Sequence, residues 1–198
     1  GFDIVVENPP FVDSEEMTKS NNTVREYLVK TMSTTKGNWD LFVPFIESGL
    51  KLLKQDGIFC NIIPNKLISA KYTKSLREHL LLKDIIEIRD YSRINVFKSV
   101  SVYPITLLIK NRMPVLDKSI SVVVMDKLSE KKVTNKIEKS EFCSDILWDR
   151  YFLDDKCVAL LRKLCSFEKI KDLGFETLGA ATVSEAYEVK KYLIDSKK

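Results

Sequence analysis

Residues 2–11 read Phe-Asp-Ile-Val-Val-Glu-Asn-Pro-Pro-Phe. The run Phe2 to Val6 is short, apolar and β-branched, and Glu7-Asn8-Pro9-Pro10 halts it, which predicts a buried strand ending in a sharp breaker. Two consecutive prolines fix φ at about −65° and remove two N–H donors, so neither a ladder nor a helix draws on the carbonyls of Asn8 and Pro9. The Asn8 side-chain oxygen and the Pro9 carbonyl at the carboxyl end of a strand make a rigid pair of acceptors for an exocyclic amino group. Phe11 offers a face to a planar ring. The same four residues also suit an ordinary Asn-Pro turn.

Outward from this stretch, residues 11–38 are polar and weakly periodic, a long loop with a turn of helix around Val24 to Met32. Between Asp40 and Gln55 the residues Leu41, Phe42, Phe45, Ile46, Gly49, Leu50, Leu52 and Leu53 recur at helical spacing, and Asp56-Gly57 supplies a stop. Ile58 to Ile63 predicts a strand covered on both faces, closed by Pro64-Asn65. A helix over Tyr72 to Leu82, a strand over Ile85 to Tyr91 and a strand over Val102 to Lys110 follow, with Pro104 pointing to an edge or bulge. The order strand, helix, strand, helix, strand, strand predicts an α/β fold with a mostly parallel sheet and a terminal hairpin, in which ligands sit at the carboxyl ends of the strands. After Asn111-Arg112-Met113-Pro114 the character changes. Strand-like Ile120 to Met125 leads into the charged run Lys127 to Lys139, read as a solvated face, and then into a helical segment near Lys156 to Leu164.

The 198 residues are 44% hydrophobic and 30% charged with six glycines and six prolines, which excludes collagen-like and disordered classes. The net charge of +4 divides evenly, +2 on residues 1–110 and +2 on residues 111–198, so no basic domain or tail marks a polyanion partner. Cys60, Cys143, Cys157 and Cys165 never approach CxxC spacing, which predicts reduced thiols, no metal site and a cytoplasmic protein. Neither a membrane span nor a signal peptide is evident, so no membrane partner is expected. The chain lacks an initiator methionine and opens inside a strand, as a piece of a longer protein would. His79, the only histidine, is read as structural or solvated. Glu188-Val189-Lys190 fits the Glu-x-Lys of many nucleases, but so does Glu130-Lys131-Lys132, and the pattern discriminates little.

FDIVVENPPF (2–11) resembles motif IV of the S-adenosylmethionine-dependent methyltransferases that act on the amino group of adenine in DNA, where the pattern is Asn-Pro-Pro-Tyr or Asn-Pro-Pro-Phe. DLFVPFIESGLKLLKQDG (40–57) resembles their motif V helix and GIFCNIIPNKLISAKYTKSLREHLL (57–81) the next strand and helix. NVFKSVSVYPITLLIKN (95–111) resembles the motif VIII hairpin. More weakly, FETLGAATVSEAYEV (175–189) is similar to the opening of a target-recognition domain. Four blocks in one order point to the NPPY/NPPF-type DNA adenine N6-methyltransferases of type II, IIG-like, restriction-modification enzymes, here running from motif IV to the start of the target-recognition domain.

The resemblance implies the carboxyl-terminal half of a Rossmann-like methyltransferase sheet at 1–111. A linker and connecting helical segment at 112–168 and the beginning of a target-recognition domain at 169–198 would follow. It implies that Asn8 and the Pro9 carbonyl hold the adenine amino group, that Pro10 completes the rigid turn, and that Phe11 stacks on a base flipped out of double-stranded DNA. Phe97 would contact the other face of the base, or else serve as an ordinary core aromatic. The cofactor would be S-adenosylmethionine, met in this chain at Asn8. The glycine-rich turn and the ribose-binding acidic residue of the family have no counterpart, since the six glycines never form GxG, and an upstream part of the same polypeptide is expected to supply them. Glu7 stands where the family often has a small residue. The same acceptor pair would also suit a protein-glutamine or RNA amino-methyltransferase, and the chain in isolation could be a non-catalytic DNA-binding fragment.

Overall fold

The structure, a computed structural model, describes residues 1–97, 102–115, 117–127 and 130–168. Six strands form one sheet: β1 (Phe2–Glu7), β2 (Leu53–Pro64), β3 (Asp84–Asp90), β4 (Pro104–Lys110), β5 (Ser119–Lys127) and β6 (Glu130–Glu138), in the spatial order β1-β2-β4-β3-β5-β6. Helices α1 (Ser14–Ser20), α2 (Asn22–Thr31) and α3 (Phe42–Leu52) lie between β1 and β2, and α4 (Lys66–Ser69) and α5 (Lys74–Leu81) between β2 and β3. Residues 1–154 form one compact unit, and the helix α6 (Asp155–Cys165) belongs to a second that begins at Asp155.

The predicted apolar runs become the core. Phe42, Ile46 and Leu50 of α3 are buried together with Leu76 and Leu80 of α5, and with Phe59 and Ile63 of β2, Ile105, Leu107 and Ile109 of β4, and Ile85 and Ile88 of β3. Gly49 is required where α3 crosses the sheet, because a Cβ there would stand 2.5 Å from Phe59 Cε2. Strand β4 lies between β2 and β3 and runs antiparallel to both. The α/β class is as expected, but the sheet is not mostly parallel. Of its five strand pairings only β1 with β2 and β3 with β5 are parallel, because β4 returns into the middle and β6 closes a hairpin on β5.

Pro104 therefore marks no edge. It opens β4 opposite Pro64, at the one rung where neither strand has an N–H to offer. The expectation that β1 is buried is also corrected: β1 is the sheet edge, and Phe2, Ile4 and Val6 are 57%, 64% and 72% exposed. The expected loop at 11–38 holds α1 and α2, the second where a turn of helix was expected around Val24 to Met32. Asp13 Oδ1 caps α1 by accepting from the amides of Glu15 and Glu16, each at 2.9 Å, and Glu15 and Glu16 suit its positive end. Only Met17 of these two helices is buried, so no apolar stripe announced α1 or the full length of α2.

The motif V helix stops at Leu52, before Asp56-Gly57, since Leu53 already pairs with Phe2. Asp56 adopts a left-handed φ of 61° within β2, where its ladder with β1 is irregular, and Asn111 holds this stretch: its carbonyl accepts from Asp56 N at 3.0 Å and its Nδ2 donates to the Leu53 and Lys54 carbonyls. Residues 112–168, expected as a linker with a helical segment, contain more than that. Strands β5 and β6 extend the same sheet, and the charged run 127–139 supplies β6. Phe142, Trp148 and Tyr151 pack as an aromatic cluster, with Phe142 and Trp148 edge to face at 5.2 Å, on a core that includes Val122 and Val124. The helical segment near Lys156 to Leu164 is α6. The expected target-recognition start at 169–198 lies outside the described residues.

A buried ion cluster ties this extension to the sheet centre. Asp84, at the start of β3, pairs with Lys139 just after β6 and with Arg112, whose Nε and NH2 donate at 2.8 and 2.7 Å. Burial alone would raise the Asp84 pKa, but the Lys139 and Arg112 hydrogen bonds outweigh it and hold it below the ordinary 3.8. Its stabilisation is thus complete above pH 3.8 and fades as the pH falls through the lowered value. Asp84→Ala should cost about 3–5 kcal/mol in urea unfolding at neutral pH, because two cations lose a buried partner. The gap to wild type should narrow in acid, and a constant gap would contradict this assignment.

Candidate active site

Strand β1 pairs with β2 only as far as Glu7 opposite Asn61, whereas β2 continues to Pro64 against β4. Pro9 and Pro10 have no N–H to extend the ladder, so the chain leaves the sheet there. The result is an open cavity of about 360 Å³ lined by Asn8, Pro9, Pro10, Phe11, Phe97 and Val102. Its size is within the usual ~300–1,000 Å³ of small-molecule sites. All five residues singled out from the sequence are thus brought together, Pro9 buried, Phe11 and Phe97 half-buried, Asn8 and Pro10 exposed. Val102 is the wall that sequence reasoning missed, and its place next to β4 was the only available hint.

Phe11 and Phe97 touch edge to face, with centroids 5.9 Å apart and planes at 87°. In this arrangement the two rings cannot both lay a face on one planar base, as the sequence reading has it, and one face and one edge are what they offer. Several bonds hold the walls. Asn65 N donates to the Tyr103 carbonyl at 2.7 Å and Asn65 Nδ2 to Ser92 Oγ at 3.3 Å, while Tyr91 N donates to the Pro104 carbonyl at 3.0 Å. These fasten the ends of β2 and β3 to the segment that carries Val102.

The excursion after Phe11 is closed where Leu41 N donates to the Val12 carbonyl at 2.9 Å, and Lys66 binds Asp40 at 2.7 Å beside it. Glu47 of α3 is the hub of this excursion. It is 1% exposed, with Oε1 accepting from Ser33 N at 3.2 Å and Lys51 Nζ at 2.7 Å, and Oε2 from Thr34 N at 2.9 Å and Thr34 Oγ1 at 2.7 Å. Burial would raise its pKa, but the bonds from Lys51, Thr34 and Ser33 prevail and hold it at about 2. Arg25 lies 4.6 Å over the Trp39 ring and donates to the Gly37 carbonyl at 3.1 Å, at a left-handed turn with φ 68°. A carboxylate in the apolar stripe of α3 was the available signal for Glu47.

Other reactive groups are muted. Burial, followed by Glu87, pushes the Cys60 thiol up, and burial lowers the His79 imidazole. Among the described residues no group of three His, Cys, Asp or Glu could hold a metal ion, and no helix is long and apolar enough to cross a membrane. Of the two Glu-x-Lys patterns, Glu130-Lys131-Lys132 opens β6 and Glu188-Val189-Lys190 lies outside the described residues.

Residues 1–97 match the family described as Eco57I restriction-modification methylase. The type II methyltransferase M.BstVI of Geobacillus stearothermophilus is 31% identical over 136 residues, covering 67% of this chain and 23% of the relative. The type II restriction enzyme and methyltransferase RM.Eco57I of Escherichia coli is 26% identical over 103 residues, 52% of this chain and 10% of the relative. The chain thus spans less than a quarter of the length of either. Among solved structures, the type IIG restriction endonuclease BpuSI superposes with a TM-score of 0.54 at 15% identity, covering 97% of this chain and 28% of that one. The type IIL restriction-modification enzyme MmeI, in complex with DNA, superposes at 0.52 and 13% identity over 67% and 18%. The sequence matches bear out the resemblance to restriction-modification methylases, and the superpositions bear out the fold.

Glu47→Gln should lower unfolding stability by about 1–3 kcal/mol and speed amide exchange at Ser33 and Thr34 while the β4 amides stay protected. The Glu47 contribution should be complete above pH 4.5 and vanish as the pH approaches about 2, the sign required by a lowered pKa. Unchanged exchange at both amides would remove Glu47 as the hub.

Proposed function

We propose that this chain forms the base-binding half of a restriction-modification DNA methyltransferase that moves a methyl group from S-adenosylmethionine to N6 of an adenine flipped out of double-stranded DNA. The observation that carries this reading is the single cavity, at the carboxyl end of β1, in which Asn8, Pro9, Pro10, Phe11 and Phe97 converge. Those five residues lie within the segment that matches the methylase family, and Val102 lies beyond it.

The amino group of adenine is planar and weakly nucleophilic because its lone pair is delocalised into the ring. In this proposal its two N–H groups donate to Asn8 Oδ1 and to the Pro9 carbonyl, which draws the nitrogen towards a tetrahedral geometry and frees the lone pair for attack. The acceptors are preorganised by the two prolines, so little reorganisation accompanies reaction. Phe11 holds the ring by stacking and Phe97 closes on it, which fixes the nitrogen in line for transfer. An adenine within the duplex presents its N6 edge inside the stack, and extrusion is therefore part of the proposal.

S-adenosylmethionine supplies, when bound, an electrophilic methyl group on a sulfonium. The cavity fits the accepting base, whereas for the donor the chain offers Asn8 at the cavity mouth. We assign the glycine-rich turn and the ribose-binding carboxylate to an upstream part of the same polypeptide. Residues 169–198 keep the role of opening the target-recognition domain. The isolated 198-residue chain is expected to bind S-adenosylmethionine no better than millimolar, which calorimetry would check.

In the full-length polypeptide, Asn8→Ala should abolish adenine methylation while DNA affinity stays within a few-fold, and methylation near the wild-type rate would remove Asn8 from the site. Phe11→Tyr should keep activity. Phe11→Ala should lose stacking worth about 1–3 kcal/mol, roughly 5- to 150-fold in rate, with a smaller loss for Phe97→Ala. A fluorescent base analogue at the target position, extruded equally by Phe11→Tyr and Phe11→Ala, would contradict the stacking role.

A further inference from the structure

Strand β1 ends on Glu7, one residue before Asn8, and Glu7 faces Asn61 across the parallel ladder with β2. Both side chains lie on the side of the sheet that α3 covers. Glu7 Oε1 sits where a Cβ on Gly49 would approach it to 2.8 Å. Asn61 interrupts a row whose other members, Phe59 and Ile63, are fully buried. It is itself 1% exposed, and neither its Oδ1 nor its Nδ2 has a hydrogen-bond partner. Glu7 Oε2 is likewise buried and unpartnered.

Three unmade hydrogen-bonding positions on two adjacent side chains are costly, because each atom has given up water for nothing. An aliphatic residue at 61 would continue the row as Ile63 does. The two groups are, however, complementary: a carboxylic acid offers one O–H donor and one acceptor, and an amide offers an N–H donor and an acceptor. Burial pushes the Glu7 carboxyl up, towards the protonated form that can donate.

We propose that Glu7 and Asn61 are a positioning pair for the acceptor clamp: acid and amide close on each other through two reciprocal hydrogen bonds beneath α3 and fix the point at which β1 passes into Asn8. This rests on the function proposed above for Asn8. In this role Glu7 touches neither base nor donor. It acts by holding Asn8 Oδ1 and the Pro9 carbonyl in register, where a small misplacement lowers the rate of an aligned transfer far more than it lowers binding. It also gives Glu7 a purpose at a position where a small side chain would otherwise suffice.

The test is single-turnover methylation by the full-length polypeptide, with DNA affinity and thermal unfolding measured on the same proteins. Glu7→Gln, which can still pair with an amide, should keep the rate within about threefold. Glu7→Ala and Asn61→Leu should each slow transfer about tenfold or more at unchanged DNA affinity, and the double variant should be no slower than the slower single. A wild-type rate for Glu7→Ala, a Glu7→Gln variant as slow as Glu7→Ala, or losses that multiply in the double variant would overturn the pair. Should wild type itself transfer no methyl group, the functional reading fails, and the pair is then decided by unfolding. Coupled effects of Glu7→Ala and Asn61→Leu on unfolding free energy support it, and additive effects overturn it.

Discussion

The antiparallel ladder between β2 and β4 is the interaction on which the rest of the fold hangs. It runs through seven pairs from Ile58 opposite Lys110 to Pro64 opposite Pro104. It puts Ile105, Leu107 and Ile109 in the centre of the core and gives β3 its second neighbour. At one end Asn111 ties off the irregular start of β2 around Asp56, and at the other two opposed prolines stop the ladder cleanly. Strand β1 gives out earlier, at Glu7, because its own prolines cannot continue the pairing. The candidate site is the notch left by that difference in strand length.

Around this frame, buried charge is used where regular structure is absent. Glu47 satisfies the backbone of Ser33 and Thr34 on the return to α3, and Asp84 joins the two cations that attach the β5–β6 extension. Both carboxylates are fully engaged, which is the condition under which a buried polar network fixes one arrangement. Glu7 and Asn61 differ. They are buried and complementary but unmade, and they sit directly behind the residue assigned to hold the reacting nitrogen.

Legibility in the sequence followed apolar density. Ile58 to Ile63, Ile85 to Tyr91 and the stripe from Phe42 to Leu50 were readable from their apolar runs and spacing, although the strands are fully buried on one face only, with Ile58, Cys60 and Ile62 half-buried and Ile86 exposed on the other. The site was readable because a double proline constrains the backbone whatever surrounds it, and the order of the four motif blocks added Phe97. Helix α1 escaped, and α2 was legible only as a turn of helix around Val24 to Met32, because the two bury almost nothing; the Asp13 cap and the charges of the first turn were the signal for α1. Pro104 misled because a proline that opens an inner strand beside another proline looks like one on an edge. The position of β4 between β2 and β3, and the joining of β5 to β3, are long-range pairings that local pattern does not encode. The apolar face of β1 was read as buried from its composition alone, and the pattern does not say which strand of a sheet stands at the edge.

In the proposed function the acceptor pair after β1 serves the amino group of adenine. Mass spectrometry of nucleosides from DNA of cells that express the full-length polypeptide, compared with cells that lack it, tests this without knowledge of the target sequence. N6-methyladenine should appear only with expression. N4-methylcytosine in its place, or no modified nucleoside from a folded and expressed protein, would contradict it.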